Sequence, residues 1–215
     1  PPVDEVAPGA TGVALSPLLP LHDAVRLAAA VFVALTLVLL AATATELYGR
    51  PYRWVAVLLF VGSVGLWERA HQLSPELGLM LGIAAALYGF ALALRRPVAG
   101  GAMLGLGAGI GFLSAGFVAI VWITVTAVAL PIAFPTWRAR GYALTAGVAV
   151  AVALALGGTW PLALFVRAPG HLHAWWASQS PGDFLAPLDS AASGDATVLL
   201  KNLPWFGWPA LPLVL

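Results

Sequence analysis

The sequence has few charged residues and no cysteine. Only 9% of its 215 residues are charged and 61% are hydrophobic, whereas roughly 25% of residues are charged in soluble domains. A soluble domain of this length could not hide so much apolar surface, so the composition excludes a soluble globular protein. The lack of cysteine excludes a disulfide framework and a thiolate metal site. The net charge of +1 says nothing about nucleic acid, and we expect no nucleic-acid partner for a chain with this composition.

The apolar residues form runs whose lengths suit a bilayer crossing, which takes about 20 residues. Six such runs occur, at residues 27–45, 54–67, 77–94, 99–113, 117–134 and 143–166. The second is the shortest, and the sixth contains Gly157-Gly158 and Pro161, where we expect a kink or an early helix end. A seventh run begins at Trp205 and is cut short. The sequence therefore predicts an all-α, polytopic transmembrane helical bundle with about six complete spans and a truncated seventh.

Basic residues in the short loops predict the orientation of this bundle, because cytoplasmic loops carry the excess of Lys and Arg. The loops after the first, third and fifth runs contain a single acid, Glu46. They also contain six arginines, which are Arg50, Arg53, Arg95, Arg96, Arg138 and Arg140. The other segments contain the remaining acidic residues and all the histidines. We therefore expect a multi-pass membrane protein whose acidic and His-bearing segments face the periplasm or the equivalent outer compartment.

The predicted spans divide the chain into four segments. They are an outer N-terminal segment, a transmembrane helical domain, an outer loop and the start of a truncated span, at residues 1–23, 24–166, 167–202 and 203–215. Within the outer loop we expect a short helix lying on the bilayer at residues 171–178, with Trp175 and Trp176 as aromatic anchors at the interface. Because the chain begins with Pro1 rather than Met and stops inside an apolar run, we expect it to be a fragment.

Glycines recur at helical spacing in the fourth run. Gly101, Gly105 and Gly109 are four residues apart, and Gly107 and Gly111 form a second such pair. The spacing matches neither the dinucleotide-binding pattern nor the P-loop, and no Lys is adjacent. Small residues at this spacing let membrane helices approach closely. We therefore predict a helix-packing face, with a phosphate-binding loop as the less favoured alternative.

The loop between the second and third runs concentrates polar groups. It contains Glu68, Arg69, His71 and Glu76. Pro75 suits the first turn of a helix, and the helix dipole favours the negative charge of Glu76 there. On a structural interpretation, Glu76 is a capping anion and Arg69 an interfacial side chain. On a functional interpretation, a carboxylate is a base or metal ligand while Arg69 and His71 contact a phosphate.

Two further polar groups lie in predicted outer segments. Arg167, His171 and His173 stand at the start of the outer loop, where the two histidines could share a metal, but an HxH pair without placed partners indicates this weakly. Asp4 and Glu5 are adjacent carboxylates in a Pro/Gly-rich segment, for which a solvated linker is the alternative. No HExxH motif, nucleophile elbow or zinc-finger spacing occurs, so a soluble-type hydrolase is unsupported. The cofactor is unknown, and a divalent metal stays open.

Several short motifs together resemble one enzyme family. They are LPLHDAVRL at 19–27, ELYG at 46–49, RAH at 69–71, PE at 75–76, GIGFLSAG at 109–116 and LPWFGWP at 203–209. These are similar to motifs of the bacterial membrane glycosyltransferases that include the lipid A aminoarabinose transferases and, more distantly, the protein O-mannosyltransferases. The resemblance implies a GT-C architecture in the bacterial inner (plasma) membrane. It also implies transfer of a sugar from a polyprenyl-phosphate donor to a lipid or protein acceptor on the periplasmic side.

The resemblance also implies roles for individual residues. It places the family's acidic residue on Glu76, and it places Arg69 and His71 where they would contact the donor phosphate or organise the site. Glu68, Arg167, His171 and His173 are further candidates for substrate binding. The family's principal catalytic acid lies in a first outer loop that this chain lacks, unless Asp4-Glu5 stands in for it.

The stretch Ser114-Ala115-Gly116 separates the fourth and fifth runs. We predict a tight turn between two antiparallel helices there, with a single kinked re-entrant structure as the alternative. The resembling family usually has Lys in this stretch, and Ala115 cannot supply its charge. The alternative function is therefore a non-catalytic membrane subunit or assembly partner that keeps the transferase fold within a membrane complex. A transporter is disfavoured by the scarcity of charged residues inside the runs.

Overall fold

The computed structural model describes residues 21–62, 75–138 and 141–167, together with residues 170, 172 and 175. The described part is almost entirely helical and contains no strand, which confirms the all-α prediction. Its α-helices, numbered α1 to α7, are Leu21–Tyr48, Arg53–Val61, Pro75–Ala93, Pro97–Ala115, Phe117–Ala133, Gly141–Gly157 and Thr159–Arg167. Short 3-10 turns, Arg50–Tyr52 and Pro135–Trp137, precede α2 and follow α5.

Four stretches are long and apolar enough to cross a membrane. They are Arg26–Tyr48, Glu76–Ala93, Pro97–Ala115 and Gly141–Arg167. These helices confirm the first, third, fourth and sixth predicted spans. The fifth, α5, is an apolar helix of 17 residues, and the second is described only over the nine residues of α2. The seventh lies outside the described residues, so the full count of spans stays a prediction.

The surface of the described bundle is apolar. Leu58 on α2 is 69% exposed and Leu154 on α6 is 70% exposed, and many other large hydrophobic side chains share this orientation. In water such a surface would drive aggregation. In a bilayer the same side chains contact lipid tails, which are as apolar as Leu. The described bundle is therefore built to be surrounded by lipid.

Helix α4 lies between α3 and α6 and packs closely on both. A Cβ atom added to Gly107 would lie 2.5 Å from the carbonyl oxygen of Gly82 on α3, and one added to Gly105 would lie 2.5 Å from that of Ala149 on α6. Real Cβ atoms essentially never approach a heavy atom this closely, so both faces of α4 need glycine. The prediction of a packing face is confirmed. Gly101, Gly105 and Gly109 face α6, and Gly107 faces α3. A Cβ added to Gly111 would instead lie 2.7 Å from the Cβ of Ala119 on α5.

The predicted turn between α4 and α5 is confirmed at Gly116. Its φ of 59° and ψ of −141° lie in a region that strongly favours glycine. Ile123 of α5 packs in one buried cluster with Leu104 of α4 and Phe90 of α3. Later residues of α5 thus lie beside earlier residues of α4, so the two helices are antiparallel, as the turn predicts. Whether the pair crosses the membrane or re-enters it from one side stays a prediction.

The interruption predicted in the sixth span lies between α6 and α7. Helix α6 ends at Gly157 and α7 begins at Thr159. Backbone hydrogen bonds continue through the junction, because the N–H of Gly158 donates to Leu154 (2.9 Å) and the N–H of Leu162 donates to Gly158 (3.1 Å). Hence this is a local break within one continuous apolar stretch.

Contacts between helix ends show that the basic loops after α1, α3 and α5 lie at the same end of the bundle, as predicted. A carboxylate oxygen of Glu46, near the end of α1, lies 3.6 Å from the guanidinium of Arg95, which follows α3. The hydroxyl of Thr145, near the start of α6, lies 3.1 Å from the carbonyl oxygen of Pro97 at the start of α4. These contacts gather the loops predicted to be basic at one end of the bundle. We call it the arginine end, and its described arginines are Arg50, Arg53, Arg95, Arg96 and Arg138.

The opposite end is named the Glu76 end. It contains the starts of α1, α3 and α5 and the ends of α4 and α6. A second buried cluster lies there, formed by Phe32 of α1 with Leu77 and Leu81 of α3. The compartment that each end faces stays a prediction, as do the four segment boundaries.

Candidate functional site

Glu76 lies in the first turn of α3, directly after Pro75. Proline suits this position because the N–H that it lacks would have no partner within the helix. Glu76 is partly exposed, whereas Leu77 is 2% exposed and packs against Phe32 and Leu81. The start of α3 is therefore anchored by a buried residue immediately beside the carboxylate, which itself stands at the edge of the buried core.

The height of Glu76 along the bundle can be compared with that of Ala115. A Cβ at Gly82 on α3 would meet the backbone of Gly107 and Gly111 on α4, which fixes the register of the two helices. Glu76 lies six residues before Gly82, which is about 9 Å along α3 at a rise of about 1.5 Å per residue. Ala115 lies four residues after Gly111, about 6 Å in the same direction along α4. The two residues are therefore within about one helical turn of the same height.

Ala115 lies in the stretch where the family resemblance leads one to expect a lysine. Ala115 is the last residue of α4, and its side chain is an uncharged methyl group. Next to it, Ser114 is fully buried and its hydroxyl donates to the carbonyl oxygen of Ile110 at 2.8 Å. The described residues thus contribute a carboxylate to the Glu76 end, but no cation from the α4–α5 turn.

A tryptophan from the predicted outer loop contacts the Glu76 end. The side chain of Trp175 is 5% exposed, and its ring meets that of Phe112 edge-on with the centroids 6.2 Å apart. Phe112 also contacts Phe117, with centroids 5.4 Å apart, so three rings surround the α4–α5 turn. Such contacts add to the burial of a large ring. Trp175 therefore packs into the bundle rather than anchoring the loop in the lipid interface, which corrects the prediction for it.

The other predicted site residues are less well defined by the structure. Arg167 is the last residue of α7 and is exposed, and within the described part it has no hydrogen bond or ion pair to any residue. The structure does not bring it to Glu76. Seven predicted residues lie outside the described part, namely Asp4, Glu5, Glu68, Arg69, His71, His171 and His173. The described residues contain no group of three His, Cys, Asp or Glu that could hold a metal ion.

An apolar cleft of about 280 Å³ lies between α4, α5 and α6. It extends from Tyr142, near the arginine end, to Ile120. Two of its polar side chains are already bonded. The hydroxyl of Tyr142 donates to the carbonyl oxygen of Ala127 at 2.6 Å, and that of Thr145 lies 3.1 Å from the carbonyl oxygens of both Pro97 and Gly141. Because the rest of the lining is mainly apolar, the cleft suits a hydrocarbon chain and not a free sugar.

Sequence reasoning missed this cleft and the contact of Trp175. The periodicity of α4, α5 and α6 shows which residues are apolar but not where two helices diverge. The only signal for Trp175 was the presence of two adjacent tryptophans within a polar loop, and that signal also suits an interfacial anchor.

Comparison with known proteins finds two curated relatives in Pseudomonas fluorescens. One, in strain Pf0-1, is named undecaprenyl phosphate-alpha-4-amino-4-deoxy-L-arabinose arabinosyl transferase 2. It is 31% identical over 196 residues, which are 88% of this chain and 33% of the relative. The other, in strain ATCC BAA-477, is named arabinosyl transferase 1 of the same kind and is 29% identical over 153 residues, which are 68% of this chain and 28% of the relative.

These relatives confirm the family resemblance identified from the motifs, because both are named as transferases of lipid-linked aminoarabinose. The chain spans about a third of the length of the curated relatives that it matches. No family model matches the chain, and no solved structure matches it.

Proposed function

We propose that this chain, a homologue of undecaprenyl phosphate-aminoarabinose arabinosyl transferases, is part of a membrane glycosyltransferase. It would move a sugar from a polyprenyl-phosphate donor to a lipid or protein acceptor on the periplasmic face. The observation that carries the proposal is the match at 31% identity over 88% of the chain. The helical architecture supports it, because a polyprenyl-linked donor is confined to the bilayer and helices of membrane length would meet it there.

In the proposed reaction, the acceptor oxygen attacks the anomeric carbon of the sugar while the bond from that carbon to the phosphate oxygen breaks. Glu76 takes the proton from the acceptor or orients the acceptor for attack, as general-base catalysis requires. Arg69 and His71 stabilise the negative charge on the leaving polyprenyl phosphate. Glu68, Arg167, His171 and His173 are further proposed contacts for the substrates, and Asp4 and Glu5 are the remaining proposed carboxylates.

The apolar cleft between α4, α5 and α6 supports the lipid part of this proposal. A polyprenyl chain or the acyl chains of a lipid acceptor need a hydrocarbon surface, and the cleft presents one along much of the bundle. The register of α3 and α4 supports the polar part. It sets Glu76 at the same end as the α4–α5 turn, where the resemblance leads one to expect a phosphate-binding cation.

Ala115 favours a second function, that of a non-catalytic membrane subunit which keeps the transferase fold. A methyl group at this position leaves a donor phosphate without the cation expected there, and a buried or partly buried phosphate without a counter-charge binds poorly. For this alternative, the full-length protein would co-purify in a stable membrane complex and show no transfer.

The test of the site is Glu76→Gln in the full-length protein, reconstituted with a polyprenyl-phosphate sugar. Loss of a general base slows the reaction by roughly 10² to 10⁴-fold, and we expect a fall of this size in transfer with donor binding unchanged. Asp23→Asn is the matched control, because Asp23 also lies in the first turn of a helix, α1, but has no proposed catalytic role. Equal transfer by Glu76→Gln and the wild type would remove Glu76 from the mechanism.

A further inference from the structure

The turn between α1 and α2 sets two arginines among exposed aromatic side chains. Arg50 and Arg53 are both exposed, and the guanidinium of Arg53 lies 5.8 Å from the ring centroid of Trp54. The rings of Tyr48 and Tyr52 lie 6.2 Å apart on the same turn. Aromatic residues with a polar atom concentrate at the level of the lipid headgroups. The turn therefore combines two cations with side chains that suit the headgroup region.

The turn between α3 and α4 lies beside the first one. Arg95 follows α3, and its guanidinium is 3.6 Å from Glu46 near the end of α1. Glu46 is the one carboxylate at the arginine end among the described residues. Because Arg95 already pairs with it, no carboxylate in the described part pairs with the guanidinium of Arg50, Arg53 or Arg96. The two neighbouring turns thus carry an excess of exposed positive charge.

The fifth described arginine at this end has a different role. The Nε atom of Arg138 donates to the carbonyl oxygen of Pro131 at 2.7 Å, and its Nη2 atom donates to that of Ile132 at 2.9 Å. These carbonyls belong to the last turn of α5 and would otherwise have no partner in the helix. Arg138 therefore caps a helix, and the excess charge belongs to the α1–α2 and α3–α4 turns.

We propose that these two turns bind the headgroup of an anionic phospholipid, with Arg50, Arg53 and Arg96 contacting its phosphate. Guanidinium groups match the geometry of phosphate oxygens with two parallel hydrogen bonds, which a point charge does not. The charge of the turns is complementary to an anionic headgroup. This site lies at the opposite end of the bundle from Glu76 and does not depend on the proposed transfer reaction.

The surroundings of the turns select a lipid over a dissolved anion. Directly after Trp54, α2 exposes Val55 and Leu58, at 50% and 69%. Acyl chains attached to the bound headgroup would cover these side chains, whereas inorganic phosphate would leave them uncovered. The proposed partner is therefore a whole phospholipid, anchored at its phosphate and packed along α2.

The test measures binding of phosphatidylglycerol and phosphatidylcholine to the purified full-length protein by native mass spectrometry. Each arginine near an anionic lipid contributes on the order of a fivefold gain in affinity. We expect the triple variant R50Q/R53Q/R96Q to bind phosphatidylglycerol on the order of a hundredfold more weakly. The control Arg26→Gln, which removes an exposed arginine outside the arginine end, should leave this binding unchanged.

Two measurements on the wild type keep the proposal testable if the triple variant does not fold. Raising the salt from 0.05 to 0.5 M should weaken binding of phosphatidylglycerol, because exposed charges are screened. Inorganic phosphate should not displace the lipid. Equal affinity for the two lipids, binding that is insensitive to salt, displacement by phosphate, or unchanged binding by the folded triple variant would each overturn the proposal.

Discussion

Replacing Gly105 by Ala should destabilise the bundle, because α6 leaves no room for a methyl group on that face of α4. The added Cβ would lie 2.5 Å from the carbonyl oxygen of Ala149 and 2.7 Å from the Cβ of Val152. Neither atom is the far end of a flexible side chain. The contact can therefore be relieved only if the two helix backbones move apart, and that movement would loosen the packing along the whole of the α4–α6 contact.

The size of the effect is set by two opposing contributions. Overpacking a close-packed contact costs typically about 1–3 kcal/mol, and the rigid backbone oxygen opposite Gly105 favours the upper part of that range. Alanine is a better helix former than glycine by about 1 kcal/mol, which offsets part of the cost. We therefore expect Gly105→Ala to lower the free energy of unfolding by about 2 kcal/mol.

Gly147→Ala provides the matched control. Gly147 lies in α6, and a Cβ there would have no atom within 4 Å. Only the helix-propensity gain remains, so this variant should be as stable as the wild type or more stable by up to about 1 kcal/mol. Both variants are compared by reversible unfolding in mixed detergent micelles, followed by helical circular dichroism. If Gly105→Ala proves as stable as Gly147→Ala, the close approach of α4 and α6 is wrong.

Three further predictions concern the Glu76 end, the apolar cleft and the orientation. Ala115→Lys should bind a polyprenyl-phosphate sugar at least tenfold more tightly than the wild type, because it adds a charge-assisted contact at the height of Glu76; unchanged affinity in a donor-binding assay would mean that the phosphate lies elsewhere. Tyr142→Phe removes the hydrogen bond to the carbonyl oxygen of Ala127 and should cost about 1 kcal/mol of unfolding free energy, with no loss of helix content. Because the sequence has no native cysteine, Arg95→Cys and Asp183→Cys can each be labelled at a single site with a membrane-impermeant thiol reagent. We expect the two variants to be labelled from opposite sides of the membrane. Labelling of both from the same side would refute the predicted topology.

The spans that could be predicted are those whose apolar runs are long and bounded by charge or proline. The third span is bounded by Glu76 and Arg95, and the corresponding helix α3 ends within one or two residues of the prediction. The fourth helix is longer than its apolar run, because Pro97 suits a first helical turn and Ser114 bonds back to Ile110 near its end. Hydropathy does not register either effect.

It was harder to predict which helices pack against each other than to predict how long each helix is. The spacing of Gly105 and Gly107 indicates close packing but does not say that the two residues face different helices. Which helix each glycine faces depends on the positions of α3 and α6 around α4. Those positions result from the packing of the whole bundle and not from the sequence of α4 alone. The alternation of charged loops likewise predicted that Glu46 and Arg95 lie at the same end of the bundle. It did not predict that the two side chains form an ion pair.

The candidate site was predicted in part. The position of Glu76 in a first helical turn followed from Pro75 and from the preference of the helix dipole for negative charge there. The packing of Trp175 against Phe112 did not follow, because it is a contact between residues far apart in the chain, which local sequence patterns do not report. The predicted cationic contacts at Arg69 and His71 lie outside the described residues and stay predictions.

The most direct test of the central claim is a transfer assay with the full-length protein in proteoliposomes. A polyprenyl-phosphate donor carrying a radiolabelled sugar is supplied together with membrane lipid acceptors, and the label is followed by extraction and chromatography. The account predicts that label moves from the donor to an acceptor, that polyprenyl phosphate accumulates in equal amount, and that Glu76→Gln slows both. A protein that binds the donor but leaves the label on it would contradict the account and favour the non-catalytic alternative.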